Sequence, residues 1–150
     1  MYKNILIATD GSKFANHAVK HGLKLAKTIG CPVTLVAVTE LWSALDMANK
    51  TRGGNTNPIA EYEDSVAKAV EKILSSAETL AIKQGVPCKT VHVKDMHPAE
   101  GIIRTADAKK CDLIVMASHG RRGVQKVLLG SITSEVLAHS HLPVLVVRPK

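Results

Sequence analysis

The feature that most constrains the fold is an alternation of short apolar runs with longer segments of helical periodicity. The runs are Ile5 to Thr9, Val33 to Thr39, a weaker one from Lys89 to Val93, Asp112 to Ala117 and Val144 to Val147. Short runs without polar alternation are typical of strands in a parallel sheet that helices cover on each side. The sequence therefore predicts an α/β fold of the doubly wound class, with right-handed crossovers between parallel strands.

The segments between the runs carry the signals of four helices. In the first, one face holds Ala15, Val19, Gly22, Leu23, Ala26 and Ile29, and the opposite face holds His17, Lys20, His21, Lys24 and Lys27. A second helix is predicted from about Ile59 to Gln84, with an inward face of Ile59, Tyr62, Val66, Ala69, Ile73, Ala77 and Leu80. Pro98 suits the first turn of a third helix, and a fourth is expected after Gly130. The inward residues of the third are Ile102, Ile103 and Ala106. The polar segment from Leu41 to Pro58 is predicted to be a mobile loop on the ligand side of the sheet.

Small residues follow the fourth predicted strand, where Ser118, His119 and Gly120 break the apolar run. Open parallel sheets bind their ligands at the carboxyl ends of the strands. Gly120 lets backbone amides come close to an anion, and Gly130 with Ser131 opens a helix whose free N–H groups favour negative charge. This spacing predicts that the loop and the helix start hold a phosphate chain.

The chain is basic, with 20 Lys and Arg against 13 Asp and Glu and a formal net charge of +7. This charge suits an anionic ligand, a nucleic acid or an acidic membrane surface. The basic residues are scattered along the sequence, and one Phe, one Trp and two Tyr offer little stacking surface, which argues against nucleic acid. No segment approaches the roughly 20 apolar residues of a membrane span, and the amino terminus does not match a signal peptide. A single cytoplasmic domain over residues 1–150 is therefore expected.

The cysteines and the paired histidines do not point to a catalytic or metal site. Cys31, Cys88 and Cys111 form no C-x-x-C pair, and each lies at or just before the start of a predicted strand. All three are therefore expected at the sheet edge opposite the phosphate loop, as buried small residues, with redox sensing as the alternative. His17 and His21 have metal-ligand spacing, but their face carries lysines and lacks an acidic third ligand. A solvated face is the favoured interpretation.

Three segments of the chain resemble the universal stress protein family, in the subgroup that binds ATP. They are ILIATDGS, HPAEGIIRTADAKKCDLIVMASHG and LLGSITSEVLAHSHLPVLVVRP. The family's nucleotide motif is Gly, two residues, Gly, nine residues, Gly and then Ser or Thr, which falls on Ala117, Gly120, Gly130 and Ser131. The implied fold is a Rossmann-like parallel sheet of five strands in the order 3-2-1-4-5, with helices on both faces.

The resemblance also implies which residues hold the nucleotide. Asp10 would face the ribose and phosphates, Val38 the adenine, and the start of the last helix the phosphate tail. The complete predicted set is Ala8, Asp10, Val38, Met116, Ala117, His119, Gly120, Gly130, Ser131, Ile132 and Thr133. A bare carboxylate repels phosphates, so Asp10 is expected either to bind Mg²⁺ or to hold ribose hydroxyls. Family members are commonly homodimers, which implies antiparallel pairing of Leu142 to Arg148 with a second copy.

Several alternatives stay open at this level. Ala117 replaces the first Gly of the motif, and its methyl group either crowds the ligand or is harmless if the backbone dihedrals are ordinary. His119, Arg121 and Arg122 either offset the charge of a polyphosphate or are simply solvated.

The sequence lacks the P-loop, nucleophile-elbow and zinc-protease motifs, so turnover is expected to be slow or absent. The leading hypothesis is an ATP-binding module that changes the surface shown to a protein partner. One rival is a weak Mg²⁺-dependent ATP hydrolase that uses Asp10 with His119 or an arginine. The other is a dimeric scaffold that binds no nucleotide.

Overall fold

Strands and helices alternate along the computed structural model of the protein, which describes residues 1–40, 58–121 and 128–149. The strands are β1 (Ile5–Ala8), β2 (Val33–Val38), β3 (Cys88–Val93), β4 (Leu113–Ala117) and β5 (Val144–Val147). They pair in parallel to form one sheet in the order β3-β2-β1-β4-β5. The doubly wound class and the 3-2-1-4-5 order are therefore confirmed.

Two apolar clusters, one on each face of the sheet, position the helices α1 (Lys13–Ile29), α2 (Pro58–Gln84), α3 (Pro98–Ala108) and α4 (Ser131–His139). The first cluster joins α1 and α2 to the sheet, through residues such as Leu23 and Leu74. The second joins α3 and α4 to the opposite face, through Ile102 and Val136. Helices therefore cover both faces, as predicted. Within the described ranges, none of these helices is long and apolar enough to cross a bilayer.

The central strand β1 explains why its sequence is apolar without alternation. Ile5 and Ile7 belong to the cluster under α1 and α2, whereas Leu6 and Ala8 belong to the cluster under α3 and α4. Because helices pack on both faces of the sheet at β1, neither of its faces meets water, and each face needs apolar residues. Gly22 lets α1 approach closely, since a Cβ atom there would lie 2.7 Å from Cδ1 of Ile7.

The predicted inward face of α2 is wrong in part. Ala69 is exposed and Ile59 is 44% exposed, whereas Val70, Leu74 and Ala81 belong to the core. The helix carries neighbouring apolar pairs, such as Ala69 with Val70, so its sequence contains two adjacent apolar stripes. Only the contact of α2 with β2 and β3 selects between them. The predicted loop from Leu41 to Pro58 lies outside the described residues, apart from Pro58, which begins α2.

The three cysteines lie at the amino edge of the sheet, as predicted. Cys31 and Cys111 precede β2 and β4 and are buried, Cys88 begins β3, and all three are free. Burial raises the pKa of each thiol, and in Cys88 burial together with the nearby Glu78 carboxylate raises the pKa to about 11. A thiol with such a pKa stays protonated near neutral pH, which agrees with an apolar role and not with a nucleophilic one.

Candidate functional site

A cavity of about 160 Å³ opens at the carboxyl edge of the sheet. Nine of the eleven predicted site residues line it, the exceptions being Gly130 and Ser131. Its lining consists of Ala8, Thr9, Asp10, Ala15, Val36, Val38, Pro98, Ile102, Met116, Ala117, His119, Gly120, Ile132 and Thr133. The predicted residues thus meet in one cavity, while their part in binding stays a prediction.

Five lining residues were not predicted from the sequence, namely Thr9, Ala15, Val36, Pro98 and Ile102. Of these five, Val36 could have been predicted from the sequence, because it is two residues before Val38 and therefore lies on the same face of β2. Ile102 was predicted only as an inward residue of a helix. Its place in the cavity depends on how α3 packs beside β2, which the sequence alone does not specify.

One half of the cavity is an apolar slot formed by strand ends and by α3. Val36, Ile102 and Met116 are each at most 5% exposed, and Val38 lies beside them at the end of β2. Gly101 makes this close packing feasible, because a Cβ atom there would lie 2.7 Å from Cγ1 of Val38. A slot of this kind suits a flat, apolar ring.

The other half of the cavity is polar and begins at Asp10. Its Oδ1 accepts a hydrogen bond from the amide of Ser12 at 2.9 Å, and its Oδ2 accepts one from the amide of Arg121 at 3.1 Å. In return, Nε of Arg121 donates to the carbonyl oxygen of Asp10 at 3.0 Å. Gly120 lets the loop approach closely, since a Cβ atom at this position would lie 3.0 Å from Oδ2 of Asp10. Asp10 therefore fastens the loop after β4 to the end of β1.

The start of α4 is held against the end of β4 by two hydrogen bonds. The amide of Gly130 donates to the carbonyl of Ser118 at 2.7 Å, and the buried hydroxyl of Thr133 donates to the carbonyl of Ala117 at 2.8 Å. Gly130 is the N-cap of α4, where no side chain caps the helix and the first turn contains no acidic residue. The positive end of this helix is thus available to an anion beside the cavity. Ser131, the first residue of α4, is exposed.

Ala117 imposes no backbone strain, although it replaces the first Gly of the motif. It lies in β4 opposite Val147, and the only non-glycine residues with positive φ in the described part of the chain are Asp95 and Lys110. The motif's first glycine is therefore not needed for its conformation here. Ala117 instead forms part of the cavity wall.

His119 lies in the same wall, with Nδ1 3.1 Å from Oγ of Ser118 and the ring centroid 6.0 Å from that of Phe14. Across the described residues, no group of three or more His, Cys, Asp and Glu side chains could hold a metal ion. A cation at Asp10 would therefore need further oxygen ligands from a bound phosphate or from water. The predicted residue Arg122 lies outside the described ranges.

Known proteins resemble this chain over nearly its whole length. Residues 1–148 match the model of the Universal stress protein family. The universal stress protein MJ0577 of Methanocaldococcus jannaschii is 34% identical over 160 aligned residues, covering 100% of this chain and 97% of that protein. The universal stress protein YxiE of Bacillus subtilis is 31% identical, covering 99% of this chain and 100% of that protein.

Solved structures give the same result for the fold. The structure of MJ0577 superposes with a TM-score of 0.80 at 29% identity, covering 100% of this chain and 98% of that one. A universal stress protein in complex with cAMP has a TM-score of 0.72 at 21% identity, covering 99% of this chain and 98% of that one. One from Archaeoglobus fulgidus in complex with dAMP has a TM-score of 0.66 at 20% identity, with 97% of each chain covered.

Proposed function

Because this chain belongs to the universal stress protein family, we propose that its cavity binds an adenine nucleotide, with ATP as the main candidate. One observation supports the proposal: an apolar slot and the first turn of α4, which has no side-chain cap and no acidic residue, meet at a single cavity through Ile132 and Thr133. Two solved proteins of the same fold are complexes with cAMP and dAMP, which favours adenine nucleotides as the ligand class.

The size of the cavity suggests how the ligand lies. Its volume of about 160 Å³ is below the roughly 300–1,000 Å³ of a site that encloses a whole drug-sized ligand. The slot beside Val38 and Met116 would therefore enclose the base, with the ribose next to Asp10. The phosphates would lie at the rim, along Gly120 and the start of α4, where amides and the helix dipole offset their charge.

Asp10 and Arg121 are expected to have different roles in the polar half of the cavity. Asp10 would hold the ribose hydroxyls, or a Mg²⁺ ion whose other ligands are phosphate oxygens and water. Arg121 is exposed at the rim and bonded to Asp10, so its positive charge lies where a phosphate chain would leave the cavity. In this arrangement Arg121 recognises the phosphates and the apolar slot recognises the base.

Changing Arg121 to Gln should weaken ATP binding by about three- to tenfold, because one charge-assisted contact is lost. Adenosine binding should change little, since adenosine has no phosphate to meet Arg121. Isothermal titration calorimetry at low salt with Mg²⁺ measures both affinities. The matched control is Arg104→Gln, which removes the same charge from an exposed residue of α3 that pairs with Glu100.

Equal loss of ATP and adenosine binding in the Arg121 variant would contradict the proposed orientation. Absence of any heat from ATP with the unchanged protein would contradict the proposed function and favour the scaffold alternative. Single-turnover measurement of phosphate release tests the hydrolase alternative. Phosphate release that disappears in Asp10→Ala would support an ATP hydrolase and exclude a module that only binds the nucleotide.

We further propose that the protein is a cytoplasmic homodimer joined through β5, acting as a nucleotide-responsive module toward a protein partner. Among the described strands, β5 lies at the edge of the sheet and pairs only with β4, and all four residues of β5 are half-buried and apolar. Such an edge is a template for pairing with a second copy. Three free cysteines are consistent with a reducing compartment.

Val146→Lys should convert the dimer to a monomer, because two copies paired antiparallel along β5 would bring these residues and their charges close together. Size-exclusion chromatography with light scattering measures the mass in solution. Thr90→Lys, an exposed position on the opposite edge strand β3, is the control and should leave the mass unchanged. A monomer in the unchanged protein would overturn the dimer proposal without affecting nucleotide binding.

A further inference from the structure

The outer face of α1 carries positive charge that no ion pair neutralises within residues 1–40, 58–121 and 128–149. The helix contains Lys13, Lys20, Lys24 and Lys27 and no acidic residue, so its formal charge is +4. All four lysines are exposed, and among the described residues none of them forms an ion pair with a carboxylate. These lysines therefore present their charge to solvent.

Helix geometry gathers these lysines into one line, which we call the lysine stripe of α1. At about 100° per residue, Lys13, Lys20, Lys24 and Lys27 fall within an arc of about 60°. From Lys13 to Lys27 the stripe is about 21 Å long at 1.5 Å per residue. His17 and His21 are also exposed and flank it. Residues that look scattered in the sequence thus form a single basic ridge on the surface.

The other helices carry the opposite charge. Helix α2 lies beside α1 on the same face of the sheet and contains five acidic residues against three lysines. Helices α3 and α4 each have one more acidic residue than Lys and Arg together. Of the four described helices, α1 is therefore the one with a net positive charge, and an acidic helix borders it.

The composition of the stripe argues against a protein partner. Protein interfaces are enriched in Arg and aromatic residues and depleted in Lys, whereas this face offers Lys, His, Asn and Thr. A membrane surface is also disfavoured, because α1 has no exposed large apolar residue to insert. A flat anionic membrane that contacted α1 would also come close to the acidic helix α2, and the two negative charges would repel each other.

We propose that the lysine stripe of α1 binds the phosphate backbone of a nucleic acid duplex. A duplex is narrow and convex, so it can contact α1 while α2 stays at a distance. It carries one charge per about 1.7 Å of axis, enough for every lysine of a 21 Å stripe to meet a phosphate. The scarcity of aromatic residues argues against single strands, whose binding depends on base stacking. Binding through phosphates alone carries no sequence preference.

The salt dependence of binding tests this inference, and fluorescence anisotropy with a short labelled DNA duplex measures it. Four phosphate contacts give a slope of log K against log salt of about −3 to −4. Lys20→Gln with Lys24→Gln should bring the slope to about −2 and lower the affinity at about 50 mM salt by at least tenfold. The matched control, Lys68→Gln with Lys72→Gln, removes the same charge from exposed positions of α2 and should change binding by less than about threefold.

Each alternative has its own outcome. Equal losses in the two double variants would mean that net charge alone attracts DNA, and would overturn the proposal. Binding to phosphatidylserine vesicles without binding to the duplex would identify a membrane surface instead. The same titration with an RNA duplex of equal length shows whether DNA or RNA is the preferred source of the paired phosphate backbone. Stabilisation by ATP, followed in parallel by thermal unfolding, should be the same in all variants, so failure here leaves the nucleotide proposal intact.

Discussion

Gly130→Ala is expected to weaken ATP binding by tenfold or more. A Cβ atom at this position would lie 3.2 Å from the carbonyl oxygen of Ser118 and 3.3 Å from Cα of His119. Both neighbours are backbone atoms, so the loop and the start of α4 must move apart. Overpacking of this kind lowers stability, and it weakens binding because the shift moves the free N–H groups at the start of α4 away from the phosphates. Each 1.4 kcal/mol of contact energy lost in this way is a factor of ten in affinity. Calorimetric titration of the variant with ATP and Mg²⁺ gives the affinity directly.

Gly30→Ala is the control for this substitution. Gly30 ends α1 with a φ of 81°, and a Cβ atom there would meet nothing within 4 Å. Alanine in that conformation should cost about 1 kcal/mol of stability through backbone strain, at the edge of the sheet far from the cavity. ATP affinity should therefore survive in Gly30→Ala and fall in Gly130→Ala. Equal affinities in the two variants would show that the start of α4 has no part in binding.

Ile7→Ala should lower the free energy of unfolding by about 2–5 kcal/mol. Ile7 is fully buried on the central strand, and α1 packs so closely over it that the side chain fills the space above Gly22. Removing its outer carbons leaves a cavity that the flanking strands β2 and β4 cannot close, because hydrogen bonds fix them on both sides. Urea denaturation followed by circular dichroism measures the loss.

The same change at an exposed isoleucine provides the comparison. Ile82, on α2, is 71% exposed, so Ile82→Ala should alter stability by no more than about 0.5 kcal/mol. A loss below about 1 kcal/mol for Ile7→Ala would mean that α1 collapses into the space. The close contact at Gly22 would then contribute little to the free energy of unfolding.

The sequence predicted the sheet well because its inner strands are buried on both faces. Ile5 to Thr9 and Asp112 to Ala117 are apolar apart from the polar residue at one end of each, which few other environments require, and the observed strands end within one residue of these limits. The inward face of α2 was harder to predict. Pairs such as Ala69 with Val70 satisfy helical periodicity in two registers, and tertiary contact decides between them.

Only part of the candidate site could be predicted from the sequence, for the same reason. Asp10, Gly120 and Gly130 were predictable because each follows a strand or opens a helix, so local sequence reveals its place. The bonds from Arg121 to Asp10 join residues 111 positions apart, and no local pattern contains them. The same is true of Pro98 and Ile102, whose place in the cavity depends on the packing of α3 beside β2.

The double attachment of Arg121 to Asp10 bears on how fast and how selectively a ligand is accepted. One bond fixes the backbone amide of Arg121, and the other, from Nε, restrains its side chain before a ligand arrives. Immobilising such a side chain otherwise costs about 0.5–1.5 kcal/mol. The rim is thus preorganised. Because the rim does not have to rearrange, ligands should be selected by shape and charge at first contact.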